Sequence, residues 1–301
     1  MTSLTPFEVI IQQAINAISI GSIYALMAIG LTMVFGILRL INFAHGDLIM
    51  VGSYATLFMT LAGVPFWIAV GGGIAASCLT GLLMERVAYR PIRGAQDVSM
   101  LLTSFAVTIF LENIAILMFS PSSRPFPAPG LLNSAMNFGA LRVNSVDIIA
   151  IVVAGILLVL LTFFITRTDM GTSMRAVSQD LLASRLMGIN TNRVFVTAFG
   201  IGSILAGIVG ILWSTRVGKI DPLMGFYPVL KAFVACVIGG LGSLPGAVLG
   251  GYILGILEIL LQGILPAPLT PFRDAFVFGI LIVLLLFRPN GLLGSTEMEK
   301  F

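Results

Sequence analysis

The chain has 301 residues, 58% of them hydrophobic and only 10% charged, with a formal net charge of +3. Soluble domains carry about 25% charged residues, so this composition excludes a water-exposed globular surface and fits the bilayer, where no charged exterior is required. The positive balance does not point to nucleic acid, because the Arg residues sit in short loops and not on one aromatic-lined face.

The first seven residues contain no Lys or Arg, so no cleavable signal peptide is expected. A span takes about 20 apolar residues. Candidate spans cover residues 9–38, 48–61, 64–84, 98–119, 146–166, 194–212, 228–241, 246–265 and 274–287. The first is long enough to be tilted or broken. The second, seventh and ninth are short, so the expectation is an all-α polytopic bundle of eight or nine spans forming a single transmembrane domain over 1–301, with no soluble domain.

Loop charge sets the orientation. Arg86, Arg90 and Arg93 cluster in one link, and Arg167, Arg175, Arg185 and Arg193 in another. The Pro-rich link between the fourth and fifth spans has only Arg124 and Arg142. The Arg-rich loops are therefore read as cytoplasmic and the Pro-rich loop as external. The tail with Arg288 and Lys300 comes out cytoplasmic, and nine spans place the N-terminus outside.

Several stretches interrupt the apolar pattern. In Arg39-Leu-Ile-Asn-Phe-Ala-His-Gly-Asp47, polar backbone at membrane depth must be buried or line a cavity. Asp47 is a candidate cap for a helix beginning at Leu48. His45, the single His of the chain, reads first as an interfacial residue bonded to a loop carbonyl and second as a pathway or proton-switch residue. Glu112, Asn113 and Glu258 lie inside apolar runs. Such carboxylates face a bundle interior or a watery cavity. They either couple transport to a cation or proton, or form structural pairs, with Lys231 the available partner for Glu258. Neutral Ser22, Tyr24, Asn42 and Asn113 are candidates for lining a substrate path.

Between Arg167 and Asn190, Ser178 is a candidate N-cap and Gly188 a candidate C-terminal cap of a short helix over 179–187. Leu182, Ala183, Leu186 and Met187 share one face, and Gln179, Asp180, Ser184 and Arg185 the other. This helix either lies on the protein's own underside or the lipid surface, or docks a cytoplasmic partner. The Gly-rich stretch over 237–251 lacks a Lys and reads as a tight turn with close helix packing, not a phosphate cradle. The chain has no Gly-x-x-x-x-Gly-Lys-Ser/Thr, so it has no P-loop of its own. Cys78 and Cys236 lie in apolar runs and argue against both a zinc site and a disulfide framework. No catalytic constellation and no metal site is read from the sequence.

Taken together, Asn42-Phe-Ala-His-Gly-Asp47, the segment from Arg175-Ala-Val-Ser-Gln-Asp180 to Leu186-Met-Gly-Ile-Asn190, Gly239-Gly-Leu-Gly-Ser243 and Arg288-Pro-Asn-Gly-Leu-Leu-Gly294 resemble the permease subunits of bacterial branched-chain amino acid ABC importers. The resemblance covers essentially the whole chain. It implies a second homologous permease, two cytoplasmic ATPase subunits that use the ATP, a periplasmic binding protein that delivers the substrate, and a multi-pass location in the bacterial inner membrane. No cofactor bound by this chain is implied. The segment containing Arg175, Ala176, Ser178, Asp180, Leu182, Leu186, Met187 and Gly188 maps onto the loop that contacts an ATPase. Related permeases carry urea or short amides, and these motifs do not separate the substrates. A stand-alone secondary transporter or channel, with Glu112 and Glu258 as ion-coupling groups, is the competing reading; transport surviving without ATP would mark it.

Overall fold

The computed structural model describes residues 6–38, 42–138 and 141–294. Arg39, Leu40 and Ile41 of the first motif, and the tail with Lys300, lie outside the described residues. In chain order the elements are α1 (Pro6–Leu38), α2 (His45–Leu61), α3 (Phe66–Met84) with a π-helical turn Glu85–Tyr89 and a short 3-10 turn Arg90–Ile92, α4 (Asp97–Phe119), β1 (Arg124–Pro125), α5 (Gly130–Asn133), β2 (Ala135–Phe138), β3 (Leu141–Asn144), α6 (Ser145–Arg167), α7 (Asp169–Gln179), α8 (Leu181–Leu186), α9 (Thr191–Val217), β4 (Lys219–Ile220), α10 (Phe226–Gly239), α11 (Leu244–Ile264) and α12 (Arg273–Phe287).

All nine predicted spans are helices. Among the described residues, seven stretches are long and apolar enough to cross a membrane: Phe7–Leu38, Phe66–Ile92, Val98–Phe119, Ser145–Arg167, Thr191–Val217, Leu244–Ile264 and Thr270–Phe287. The ninth predicted span gains a 3-10 turn, Thr270–Phe272, at its start and is full length. The second and seventh are the short ones, α2 with 17 residues and α10 with 14.

The two short helices begin inside the bundle. Gly46, in the first turn of α2, lies so close to Gly225 at the start of α10 that a Cβ on either would overlap the other's backbone carbonyl. The His45 ring packs on Gly30 and Gly202, both in the interiors of their helices. α2 thus starts at His45, with Ala44 at the cap position and no side-chain cap, and not at Leu48 behind an Asp47 cap. The backbone amides of His45, Gly46 and Asp47 are instead taken up by the carbonyls of Asn42, Phe43 and Ala44.

α1 and α9 form the interior, and α4, α6 and α12 turn most of their surface outward. The apolar residues on those outer faces, such as Phe110, Leu117, Val159, Phe163 and Leu286, are exposed, as expected where lipid is the solvent. Two antiparallel pairs, β1 with β4 and β2 with β3, organise the Pro-rich link and the α9–α10 link at one end of the bundle. At the opposite end, the turn between α10 and α11 is held by the C-terminal segment: the amides of Leu292 and Leu293 donate to the carbonyls of Ile238 and Gly239, at 2.9 and 2.8 Å.

Candidate functional site

The start of α2 carries a buried polar cluster. Asn42, His45 and Asp47 are each 1% exposed. The Tyr89 hydroxyl, from the π-helical turn after α3, donates to Asn42 Oδ1 at 2.7 Å. From α4, Ser104 Oγ accepts the Phe43 amide at 2.7 Å. Thr108 is buried and faces Asp47, with Glu112 next along the same side. Ser104, Thr108 and Glu112 are spaced four apart, so they form one stripe on α4. Phe43 stacks on Phe105 beside it, at 4.7 Å between ring centroids. Asn42 Nδ2, His45 Nε2, Asp47 Oδ2 and Thr108 Oγ1 are buried without a hydrogen-bond partner. Buried polar atoms are paired in the large majority of cases, so the orphans on Asn42, Asp47 and Thr108 mark a site between α2 and α4, while His45 Nε2 turns the other way, onto Gly30. His45 is interior, not interfacial, and its Nε2 meets no loop carbonyl.

The other path candidates separate. Asn113 is exposed on the outward face of α4, where its side-chain amide donates to the Ile109 carbonyl at 2.7 Å. That face forms a shallow groove with Ile109, Phe110 and Leu117, away from the cluster. Ser22 and Tyr24 are fully buried between α1 and α11. Ser22 donates to the Ile18 carbonyl at 2.7 Å and lies 3.2 Å from the Tyr252 hydroxyl. The Tyr24 hydroxyl donates to Glu258 Oε2 at 2.7 Å.

Glu258 is the centre of an ion network. Its Oε1 lies 3.6 Å from Lys231 Nζ and 2.6 Å from Arg273 Nη2. Lys231 also reaches Asp274 Oδ1 at 2.5 Å, and the Tyr227 hydroxyl donates to Asp274 Oδ2 at 2.6 Å. The pairing of Glu258 with Lys231 expected from the sequence is present, and Arg273 and Asp274 extend it. Two cations face two anions, so this group of four carries no net charge. With two cations and a tyrosine on its carboxylate, Glu258 is occupied structurally, while among the described residues Asp47 and Glu112 form no ion pair.

The predicted cytoplasmic helix is shorter and begins later than expected. Ser178 lies in the last turn of α7, where its hydroxyl donates to the Arg175 carbonyl at 2.8 Å. Asp180 is the N-cap of α8, its Oδ1 accepting the Ala183 amide at 2.8 Å. The helix spans Leu181–Leu186 and not 179–187, a length of about 9 Å at 1.5 Å per residue. It ends at Gly188, whose φ of 82° is left-handed, a conformation that glycine adopts without strain. α7 anchors the segment by burying Met174 and Val177, and places Arg175 outside and Ala176 half-buried.

α8 turns its apolar face away from the protein. Leu182 is 68% exposed, Leu186 81% and Met187 82%, while Ser184 is the buried residue. Arg93, at the end of α3, ion-pairs with Glu85, lies over the Phe195 ring at 4.2 Å and donates to Asn192 at 2.6 Å. Partial burial, and then the neighbouring Arg185 of α8, pull the Arg93 pKa down to about 10. Glu85 and Tyr89 share one π-helical turn, so the element that ion-pairs with Arg93 also touches Asn42. π-turns often mark functional positions in helices.

Sequence reasoning missed Tyr89, Ser104, Thr108 and the inward role of Asp47. The available signal was the polar stripe at four-residue spacing in an otherwise apolar α4.

Residues 13–286 match the family described as branched-chain amino acid transport system / permease component. The chain is 40% identical over 304 residues to the high-affinity branched-chain amino acid transport system permease protein BraD of Pseudomonas aeruginosa, covering 96% of this chain and 97% of that one. It is 39% identical over 310 residues to the permease protein LivH of Escherichia coli K12, covering 98% of each. The permease protein LivM of the same organism is 25% identical over 311 residues, 95% of this chain and 71% of LivM. Among solved structures, PsaBC from Streptococcus pneumoniae in complex with Fab shares the fold, with a TM-score of 0.50, 13% identity and 91% of each chain covered. A multi-pass membrane chain matched end to end by permeases at this level of identity belongs to the family of branched-chain amino acid transport system permease components.

Proposed function

We propose that this chain forms one half of the translocation pathway of an ABC importer for branched-chain or similar small neutral amino acids, in the bacterial inner membrane. It folds as one transmembrane permease domain beside a second, homologous permease. Two cytoplasmic ATPase subunits use the ATP, a periplasmic binding protein delivers the cargo, and the chain itself catalyses no reaction and holds no cofactor. The observation that carries the reading is α8, whose apolar face is turned outward at the Arg-rich end of a membrane bundle. Arg175, Ala176, Ser178, Asp180, Leu182, Leu186, Met187 and Gly188 make up the coupling segment. Reconstitution of the chain with its own partner subunits tests it. ATP-dependent uptake of leucine, isoleucine or valine is expected, and uptake that persists without ATP hydrolysis would replace this reading by a stand-alone carrier. Preference for urea or short amides in the same assay would reassign the cargo alone.

Two expected results follow from this arrangement. In a background without Cys78 and Cys236, cysteines at positions 90 and 180 should be closed to an impermeant thiol reagent added to intact cells, and one at 125 should be open. The Arg asymmetry between the loops sets this direction, and labelling at 90 or 180 but not at 125 would invert the topology. Glu112→Gln should retain part of the uptake, because Glu112 is only half-buried at the rim of the α4 stripe. Complete loss in a complex that still assembles would make Glu112 indispensable to uptake and not a contributor at the rim.

A further inference from the structure

Among the described residues, Asp47 is a buried carboxylate with no ion-pair partner. It sits in the first turn of α2, 1% exposed, and its Oδ2 has no hydrogen-bond partner. Glu258, equally buried, shows how this bundle treats a carboxylate it keeps for structure: two cations and a tyrosine hold it. Asp47 is given none. Facing it are Thr108, 6% exposed with its hydroxyl turned to the Asp47 carboxylate, and Glu112, a second acid. Isolated carboxylates inside a membrane protein are costly and mark functional positions. Among the described residues it meets no cation, and Thr108 and Glu112 face it with a hydroxyl and a second carboxylate.

We propose that Asp47, Thr108 and Glu112 form the binding site for the ammonium group of the amino acid during its passage between α2 and α4. The proposal rests on the importer reading above. A primary ammonium carries three N–H donors and no acceptor, as on a lysine side chain. The site presents three acceptor groups: the unpaired Asp47 oxygen, the Thr108 hydroxyl and the Glu112 carboxylate. Beside them, the stacked pair Phe43 and Phe105 gives an apolar wall suited to a branched aliphatic side chain. On the other side, Tyr89 and Asn42 form a neutral donor group, with one Asn42 amide atom unpaired. A zwitterion with an apolar side chain meets complementary chemistry at each of its three parts. The site is made from one element that begins within the bundle and one that lies loosely on its outside, so a shift of α4 opens or closes it without disturbing the α1–α9 core.

The test uses the complete transporter: this chain with its own second permease, ATPases and binding protein, in proteoliposomes. Asp47→Asn keeps shape but removes the charge. Leucine uptake is expected to fall at least 10-fold while ATP hydrolysis stimulated by the leucine-loaded binding protein persists. Asp47→Glu, with the charge restored, should recover a measurable share of uptake. A second variant reads occupancy without relying on uptake. Thr108→Cys should be alkylated by N-ethylmaleimide at least 3-fold more slowly when loaded binding protein and ATP are present, as followed by mass spectrometry of that peptide. Asn113→Cys, on the outward face of the same helix, should show no such protection. Wild-type uptake in Asp47→Asn would overturn the proposal and leave Asp47 a structural partner of Thr108. Loss of stimulated ATP hydrolysis together with uptake would also overturn it, by making Asp47 part of coupling or folding. Equal labelling of Thr108→Cys with and without cargo would place the path elsewhere. If the wild-type transporter moves no amino acid at all, the importer reading fails first, and the variants do not enter.

Discussion

Leu186→Asp is expected to strip the ATPase subunits from the purified transporter while leaving this chain folded. Leu186 is 81% exposed in the isolated chain, so a charge there costs nothing in folding. Against a partner, it would replace an apolar anchor by an unpaired carboxylate in a desolvated groove. A penalty of about 3 kcal/mol is reasonable for that change, which lowers association about a hundredfold. Helix-in-groove recognition concentrates affinity in a few such anchors. Subunit retention on a tagged permease, with and without the substitution, measures it. Gly188→Val acts differently. A Cβ at Gly188 meets no atom within 4 Å, so there is room for a side chain. The obstacle is the φ of 82°, which costs an L-residue roughly 1–2 kcal/mol and a β-branched one more. Membrane insertion should survive, but α8 would lose its fixed end, and substrate-stimulated ATP hydrolysis should uncouple from uptake. Wild-type retention and stimulation in both variants would return α8 to a surface feature.

Lys231→Met should destabilise the fold strongly. Lys231 is 1% exposed and stands between Glu258 and Asp274. Its removal leaves two carboxylates facing Arg273 alone. Breaking a buried pair from one side costs about 3–5 kcal/mol, because the remaining charge is uncompensated. The double variant Lys231→Met with Asp274→Asn restores neutrality and should recover much of the loss, though each single change is harmful. Thermal unfolding in detergent across the four members of this cycle gives the coupling between the two sites. Additive losses in the double variant would show that the network contributes no pairwise energy.

Hydropathy alone located every membrane helix, since nine apolar runs correspond to nine helices. It did not reveal that α2 and α10 start inside the bundle, because a run of apolar residues reports length and not depth. The contact between Gly46 and Gly225 that fixes the depth is non-local. The Lys231–Glu258 pair was legible since both charges lie within apolar runs, where an unpaired charge is costly. Arg273 and Asp274 were not, because adjacent opposite charges at the start of a span look like an ordinary interfacial flank. In the α7–α8 segment, Ser178 and Asp180 are both good capping residues. Thr168 begins a helix early enough to run through Ser178, so Asp180 takes the cap. On α4, Glu112 and Asn113 are one residue apart and about 100° apart around the axis, so only one can face inward. The Ser104–Thr108 spacing selects Glu112.

The clasp between the C-terminal segment and the end of α10 bears on how the chain is made. A helix end leaves carbonyls open, and those of Ile238 and Gly239 are closed by the amides of Leu292 and Leu293, which leave the ribosome long after α10 has entered the membrane. Until then the α10–α11 turn stands with open carbonyls at one end of the bundle. Closure waits for α12, whose own anchor at its other end is the network around Lys231. The segment that follows α12 therefore acts as a keystone: it seats the short helix that starts beside Gly46, and until it arrives the interior around α2 has one unfixed wall.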